Sequence, residues 1–99
     1  MFSDPFFSVA VRQTDAGTVV TVAGELDVAT APELEQALAD AEGQVTVDLS
    51  ATTFADPAAL RVLLAARADG VRIRVLPRRG GQVARLLALT GTETLLTPA

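Results

Sequence analysis

The chain has no cysteine and no histidine, and it lacks lysine, tyrosine and tryptophan as well. Without cysteine there is no disulfide framework and no thiolate chemistry. Without histidine the usual general acid–base is missing. Nucleophiles, general bases and metal ligands would have to come from carboxylates, arginines and a few hydroxyls. Neither an enzyme nor a bound cofactor or metal is expected. Long apolar runs are also absent. Hydrophobic residues make up 49% of the 99 residues, but they fall in stretches far short of the roughly 18 needed to span a bilayer. The start, Met1-Phe2-Ser3-Asp4-Pro5, has neither the basic flank nor the apolar core of a signal peptide. A soluble, cytoplasmic domain is expected. The length suits one unit over residues 1–99 with a single modest core.

Positive charge is scarce in the first half. Residues 1–56 hold ten acidic side chains against Arg12, whereas residues 57–99 hold seven arginines against Asp69 and Glu93, for a net charge of −4. A chain of this charge makes a poor general nucleic-acid binder, because phosphate neutralisation supplies most non-specific affinity. The arginines form either a solvated face or a basic patch that meets an acidic partner.

What is present is a regular alternation of patterns. Phe7 to Gln13 alternates with period two, as a strand does. Asp15-Ala16-Gly17 is a turn signal, and Thr18 to Gly24 is a second strand, so the pair predicts an antiparallel hairpin. Thr30-Ala31-Pro32-Glu33 has the capping-box spacing, with Thr30 as N-cap and Glu33 three residues on. Leu34, Ala37, Leu38 and Ala41 then follow at helical spacing. Val45 to Leu49 predicts a third strand, followed by a polar turn. A second helix is predicted from about Pro57 to Asp69, with Leu60, Leu63, Leu64 and the stem of Arg67 on one stripe and Gly70 as its stop. Val71 to Leu76 alternates as a fourth strand ended by Pro77, and Gln82 to Leu89 predicts a third helix with Val83, Leu86 and Leu87 inward. Leu95-Leu96 would suit a short last strand. The order predicts an α/β fold, an open mixed sheet of four to five strands packed with three or more helices.

The most telling stretch is Val45 to Ala66, VTVDLSATTFADPAALRVLLAA. It runs strand, loop, capped helix. Asp56 is a strong N-cap residue, and Pro57 stands where a helix tolerates proline. This stretch, together with Gly24-Glu25-Leu26-Asp27-Val28-Ala29-Thr30-Ala31-Pro32-Glu33-Leu34 and Val83-Ala84-Arg85-Leu86-Leu87-Ala88-Leu89-Thr90-Gly91, resembles the STAS domain of anti-sigma factor antagonists. The resemblance covers most of the chain. In that family the loop typically reads Asp-Ser-Ser-Gly-Leu, and a partner kinase phosphorylates the second serine. The matching residues here are Asp56-Pro57-Ala58-Ala59-Leu60, so Ala58 stands at the phosphoacceptor position without a hydroxyl.

The resemblance implies a non-catalytic interaction module. Its partner would be an anti-sigma factor or related kinase-type ATPase protein, bound to regulate transcription without the usual phosphorylation switch. It places the partner surface at Asp27, Asp56, Pro57, Ala58, Ala59 and Leu60. The alternative is a diverged STAS domain acting as a scaffold, a transporter-associated subunit or a small-ligand binder. No direct nucleic-acid contact and no membrane span are expected, and a homodimer is left open.

Other residues have both a structural and a chemical use. Asp27, Asp48 and Asp56 could converge at the strand ends and hold a hard cation such as Mg²⁺. Against that, Asp56 suits an N-cap and Asp48 a loop cap, while Asp27 has the weakest local reason to be there. Ser50, Thr52 and Thr53 suit turn chemistry. Arg78-Arg79-Gly80-Gly81 suits an exposed turn, or an anion site at a helix start. Phe2, Phe6 and Phe7 suit packing on the sheet; left exposed, they would mark a docking surface.

Overall fold

The computed structural model describes residues 6–92. The elements are β1 (Phe7–Thr14), β2 (Gly17–Leu26), α1 (Ala31–Asp40), β3 (Gln44–Ala55), α2 (Pro57–Ala68), β4 (Arg72–Pro77) and α3 (Gln82–Thr90). The strands form one sheet in the order β1-β2-β3-β4. β1 and β2 are antiparallel, and β2, β3 and β4 run parallel. This is the α/β mixed sheet that the pattern predicts, with four strands and three helices among the described residues. Leu95-Leu96 and Phe2 lie outside them.

The alternating strands put one side of the sheet into the core. Val20 lies beside Val47, and Val47 beside Val75; Val45 lies beside Ile73. All five are at most 3% exposed. Helix α1 covers this face with Leu34 and Leu38, α2 with Leu60 and Leu63, and α3 with Val83 and Leu87, all in one cluster. Each fully buried Val or Leu contributes about 1.5–3 kcal/mol. Leu86 is half-buried, and Arg67 is exposed.

Strand β3 is longer than its pattern suggests. Its polar residues Ser50 to Thr53 are strand, not turn. Two register shifts against β2, between Thr21 and Ala23 and between Gly24 and Glu25, mark bulges that absorb extra residues in β3. The buried positions accordingly change from every second residue (Val45, Val47, Leu49) to every third (Leu49, Thr52, Ala55). Side chains satisfy the backbone that the bulges disturb. Asp48 Oδ1 accepts from the Ser50 N–H at 2.9 Å. Thr52 is buried, and its hydroxyl donates across strands to the Val22 carbonyl at 2.9 Å. Thr52 therefore serves the sheet rather than a local turn.

The stops of α2 and α3 have the geometry that glycine allows. After α2 the Val71 N–H donates to the Ala66 carbonyl and the Gly70 N–H to the Arg67 carbonyl, with Gly70 at φ 94°. Gly91 and Thr92 repeat the arrangement after α3. Gly24 has a different reason. Its φ is 99°, and a Cβ there would lie 1.9 Å from the Phe6 carbonyl oxygen. Phe7 is buried as expected, but Phe6 is 82% exposed and does not pack on the sheet.

Candidate functional site

The ends of β2 and β3 and the starts of α1 and α2 meet at one edge of the molecule. Leu26 pairs with Ala55, and the Asp56 N–H donates to the Leu26 carbonyl at 3.1 Å. The Asp27 loop and the α2 start therefore stand side by side.

Asp56 caps α2. Its Oδ1 accepts from the N–H of Ala58 at 2.9 Å and of Ala59 at 3.4 Å. Its own backbone is extended, at φ −100° and ψ 174°, while Pro57 opens the helix without needing an N–H. Pro57 is exposed and Ala58 half-buried. Ala59 and Leu60 point the other way, into the core, at 2% and 8% exposure. Their contribution to any contact is to hold the first turn from beneath.

Asp27 is more constrained than its sequence context suggests. Its Oδ1 accepts from the N–H of Ala29 at 2.9 Å and of Thr30 at 3.1 Å. Its own N–H donates to the Thr30 hydroxyl oxygen at 2.9 Å, and that hydroxyl donates to the Glu25 carbonyl at 2.8 Å. The predicted box between Thr30 and Glu33 does not form: Thr30 makes no side-chain bond to the α1 backbone. The reciprocal pair sits three residues earlier, between Asp27 and Thr30. The Asp27 carboxylate already takes the Thr30 N–H that Glu33 would accept, and the Thr30 hydroxyl is drawn back to β2.

The three aspartates do not form a cation site. Asp48 lies mid-strand in β3, beside Thr21 and bound to the Ser50 N–H. Among the described residues, no three His, Cys, Asp or Glu side chains are grouped to hold a metal ion.

A side chain that the sequence reading placed only as a helix start braces this edge. Gln82, first in α3, makes two bonds with one residue: its Oε1 accepts from the Ala55 N–H and its Nε2 donates to the Ala55 carbonyl, each at 2.8 Å. It pins α3 to the last residue of β3, directly ahead of Asp56. Ahead of it, Arg78-Arg79-Gly80-Gly81 is a turn that lines a small cleft with Thr52, Thr53 and Gln82. Two apolar side chains not singled out from the sequence are also open to solvent here. Val28, in the Asp27 loop, is 70% exposed, and Phe54, two residues ahead of Asp56, is 43% exposed. The strand pattern hid Phe54, because the bulges turn it outward.

From Ala58 a groove of about 670 Å³ runs between α1 and α2, floored by residues such as Leu38, Val62, Ala65 and Ala66 and rimmed by Glu35, Arg61 and Asp69. No helix among the described residues is long and apolar enough to cross a membrane.

The family model described as "Mlab, STAS domain" matches residues 9–97. The chain belongs to the STAS domain family. This STAS domain is similar to an anti-sigma factor antagonist from Mycobacterium paratuberculosis, whose crystal structure matches with a TM-score of 0.80 and 32% identity over 99% of this chain and 92% of that one. It also shares its fold with an antisigma-factor antagonist STAS domain from Rhodobacter sphaeroides, at TM-score 0.58 and 23% identity over 75% of this chain and 89% of that one. No curated protein matches the chain.

Proposed function

We propose that this STAS domain is a non-catalytic interaction module of the anti-sigma factor antagonist type, which binds an anti-sigma factor of kinase-type ATPase fold and carries no phosphorylation switch at the usual loop. The observation that carries the reading is the α2 start. It is a capped helix N-terminus set beside the Asp27 loop, with Pro57 exposed and Ala58 half-buried at its surface. In a switched relative, a phosphate here would add about −1.5 to −2 charge to the contact. No residue from Asp56 to Leu60 has a hydroxyl to carry one. Asp27, Asp56, Pro57 and Ala58 supply the surface in this reading, and Ala59 and Leu60 fix its position. Control then comes from the amounts of domain and partner.

The test is affinity capture from the native cells with tagged wild type and tagged Ala58→Glu, followed by mass spectrometry. The wild type should retain an ATPase-fold anti-sigma factor, and Ala58→Glu should lose it while melting at a similar temperature. Capture that ignores Ala58→Glu would refute the surface, and capture of no such protein would refute the partner class. One observation favours the second reading, a diverged small-ligand binder: the α1–α2 groove is within the 300–1,000 Å³ typical of ligand sites. Ligand-induced melting shifts that vanish in Ala65→Leu would support it.

A further inference from the structure

The sheet has a second face, and no helix among the described residues covers it. Its residues run in cross-strand rows that the register fixes: Arg12, Val19, Thr46 and Arg74 form one, and Ala10, Thr21, Asp48 and Leu76 the next. The edge residues are exposed and the central ones only half-buried, whereas all three helices pack into the core on the opposite side. Parallel strands are ordinarily covered on both faces, and β2, β3 and β4 are parallel. The centre of the open face is made of Val19, Thr21, Ala23, Thr46 and Asp48, whose Oδ1 already accepts from the Ser50 N–H. Its margins are basic, with Arg12 on β1 and Arg72 and Arg74 on β4. None of these three guanidinium groups has an ion pair or hydrogen bond among the described residues. Arg12 and Arg74 are three strand spacings apart, roughly 14 Å, and a helix with its side chains is about 10–12 Å across.

Helix α1 has the complementary surface. Leu34 and Leu38 face inward. At about 100° per residue, Pro32, Gln36 and Ala39 then lie along the middle of the outer face. Glu33 and Asp40 flank them on one side and Glu35 on the other. The helix has no basic residue at all. We propose that the open sheet face docks α1 of a second copy of this chain, head to tail, with the acidic flanks of the helix against the arginine margins of the sheet. Charge complementarity selects this occupant: the most acidic helix surface in the chain meets the one sheet face edged by unpaired arginines. The patch, four strands wide and about five residues long, covers roughly 300 Å², well below the ~800 Å² per partner of a standard stable interface. The association is therefore weak and concentration-dependent. Because the two surfaces differ, it extends into short open chains rather than closing as a twofold dimer. It is independent of the α2 loop and of the partner proposed above.

Sedimentation velocity of the purified chain, from micromolar into the millimolar range at low ionic strength, tests this. The wild type should show a sedimentation coefficient that climbs with concentration beyond that of a dimer. Arg12→Glu/Arg74→Glu and Glu35→Arg/Asp40→Arg should each weaken association by about tenfold or more, since each sets like charges face to face. Mixing the two reversed variants should restore it. Asp15→Arg/Asp69→Arg has the same net charge as the α1 reversal but leaves both surfaces intact, so it should associate on its own as the wild type does. All substituted sites are exposed, and far-UV circular dichroism checks that each variant folds. A wild type that stays monomeric overturns the proposal. So does association untouched by either reversal, or an Asp15→Arg/Asp69→Arg variant that loses association as the α1 reversal does.

Discussion

Replacing Asp56 with alanine separates the structural role of this carboxylate from its place on the surface. The side chain satisfies the N–H groups of Ala58 and Ala59, at 2.9 and 3.4 Å. Removing it strands the Ala58 N–H at the half-buried start of a 12-residue helix, while the Ala59 N–H keeps the Asp56 backbone carbonyl at 3.0 Å. Loss of an N-cap costs about 0.5–2 kcal/mol, typically about 1. For a domain of this size each kcal/mol lowers Tm by roughly 4–8 °C, and about 1 kcal/mol moves a urea midpoint by roughly 0.3–1 M at unchanged slope. Asp56→Asn is the control. It keeps an acceptor oxygen and loses only the charge at the positive end of the helix dipole, worth about 0.3–1 kcal/mol at an exposed site. The order of stability should be wild type, then Asn, then Ala, with slopes alike. An alanine variant that melts with the wild type would refute the capping argument. If that variant also lost its partner, the carboxylate would be a contact rather than a cap.

Gln82→Ala should cost about 1–3 kcal/mol by chemical denaturation, because it strands both the N–H and the C=O of Ala55; Gln82→Glu, which can accept but not donate, should fall between. Gly24→Ala should destabilise by more than about 2 kcal/mol, read as lost soluble expression or a lowered Tm, since it combines a positive φ with a Cβ 1.9 Å from the Phe6 oxygen. With ATP and a kinase from a related anti-sigma system, intact mass should show no phosphate between Asp56 and Leu60 in the wild type. It should show one phosphate in the variant carrying Pro57→Ser, Ala58→Ser and Ala59→Gly. A triple variant that folds yet is never modified would show that the partner surface itself has diverged.

The order and type of the elements were legible because each rests on a local signal: alternation in β1, β2 and β4, helical spacing in α1 and α3, and the Asp-Pro start of α2. β3 was legible only to Leu49. Its continuation depends on bulges set by the neighbouring strand, and no local pattern encodes them. Ser50 to Thr53 look like a turn because their hydroxyls suit one, yet Thr52 spends its hydroxyl on Val22, thirty residues away. The α1 entry failed for a similar reason. Both Thr30–Glu33 and Asp27–Thr30 have the three-residue spacing of a reciprocal cap, and the choice between them is made by the Glu25 carbonyl, which takes the Thr30 hydroxyl. The site residues divide in the same way. Asp56 as a cap follows from sequence. The inward direction of Ala59 and Leu60 needs the helix docked, and the brace from Gln82 needs α3 folded back on β3.

The supports of the α2 loop show why it can keep its shape without a hydroxyl. The Asp56 carboxylate bonds backbone N–H groups, the Asp56 N–H bonds the Leu26 carbonyl, and Gln82 bonds the Ala55 backbone. None of these involves the side chain of residue 57, 58 or 59, so the frame tolerates any small residue there. The residues present also make the loop stiffer than Ser-Ser-Gly would. Pro57 sits where its missing N–H has no helical partner to lose, and it restricts the unfolded chain. Ala59 has no positive φ that would require glycine, and its methyl is buried; glycine there would cost about 1 kcal/mol in helix propensity alone. Reversion to Ser-Ser-Gly should therefore lower stability by roughly 1–2 kcal/mol while leaving the fold intact. Under the function proposed above, a stiffer and unmodifiable start suits a partner surface held permanently in its binding form.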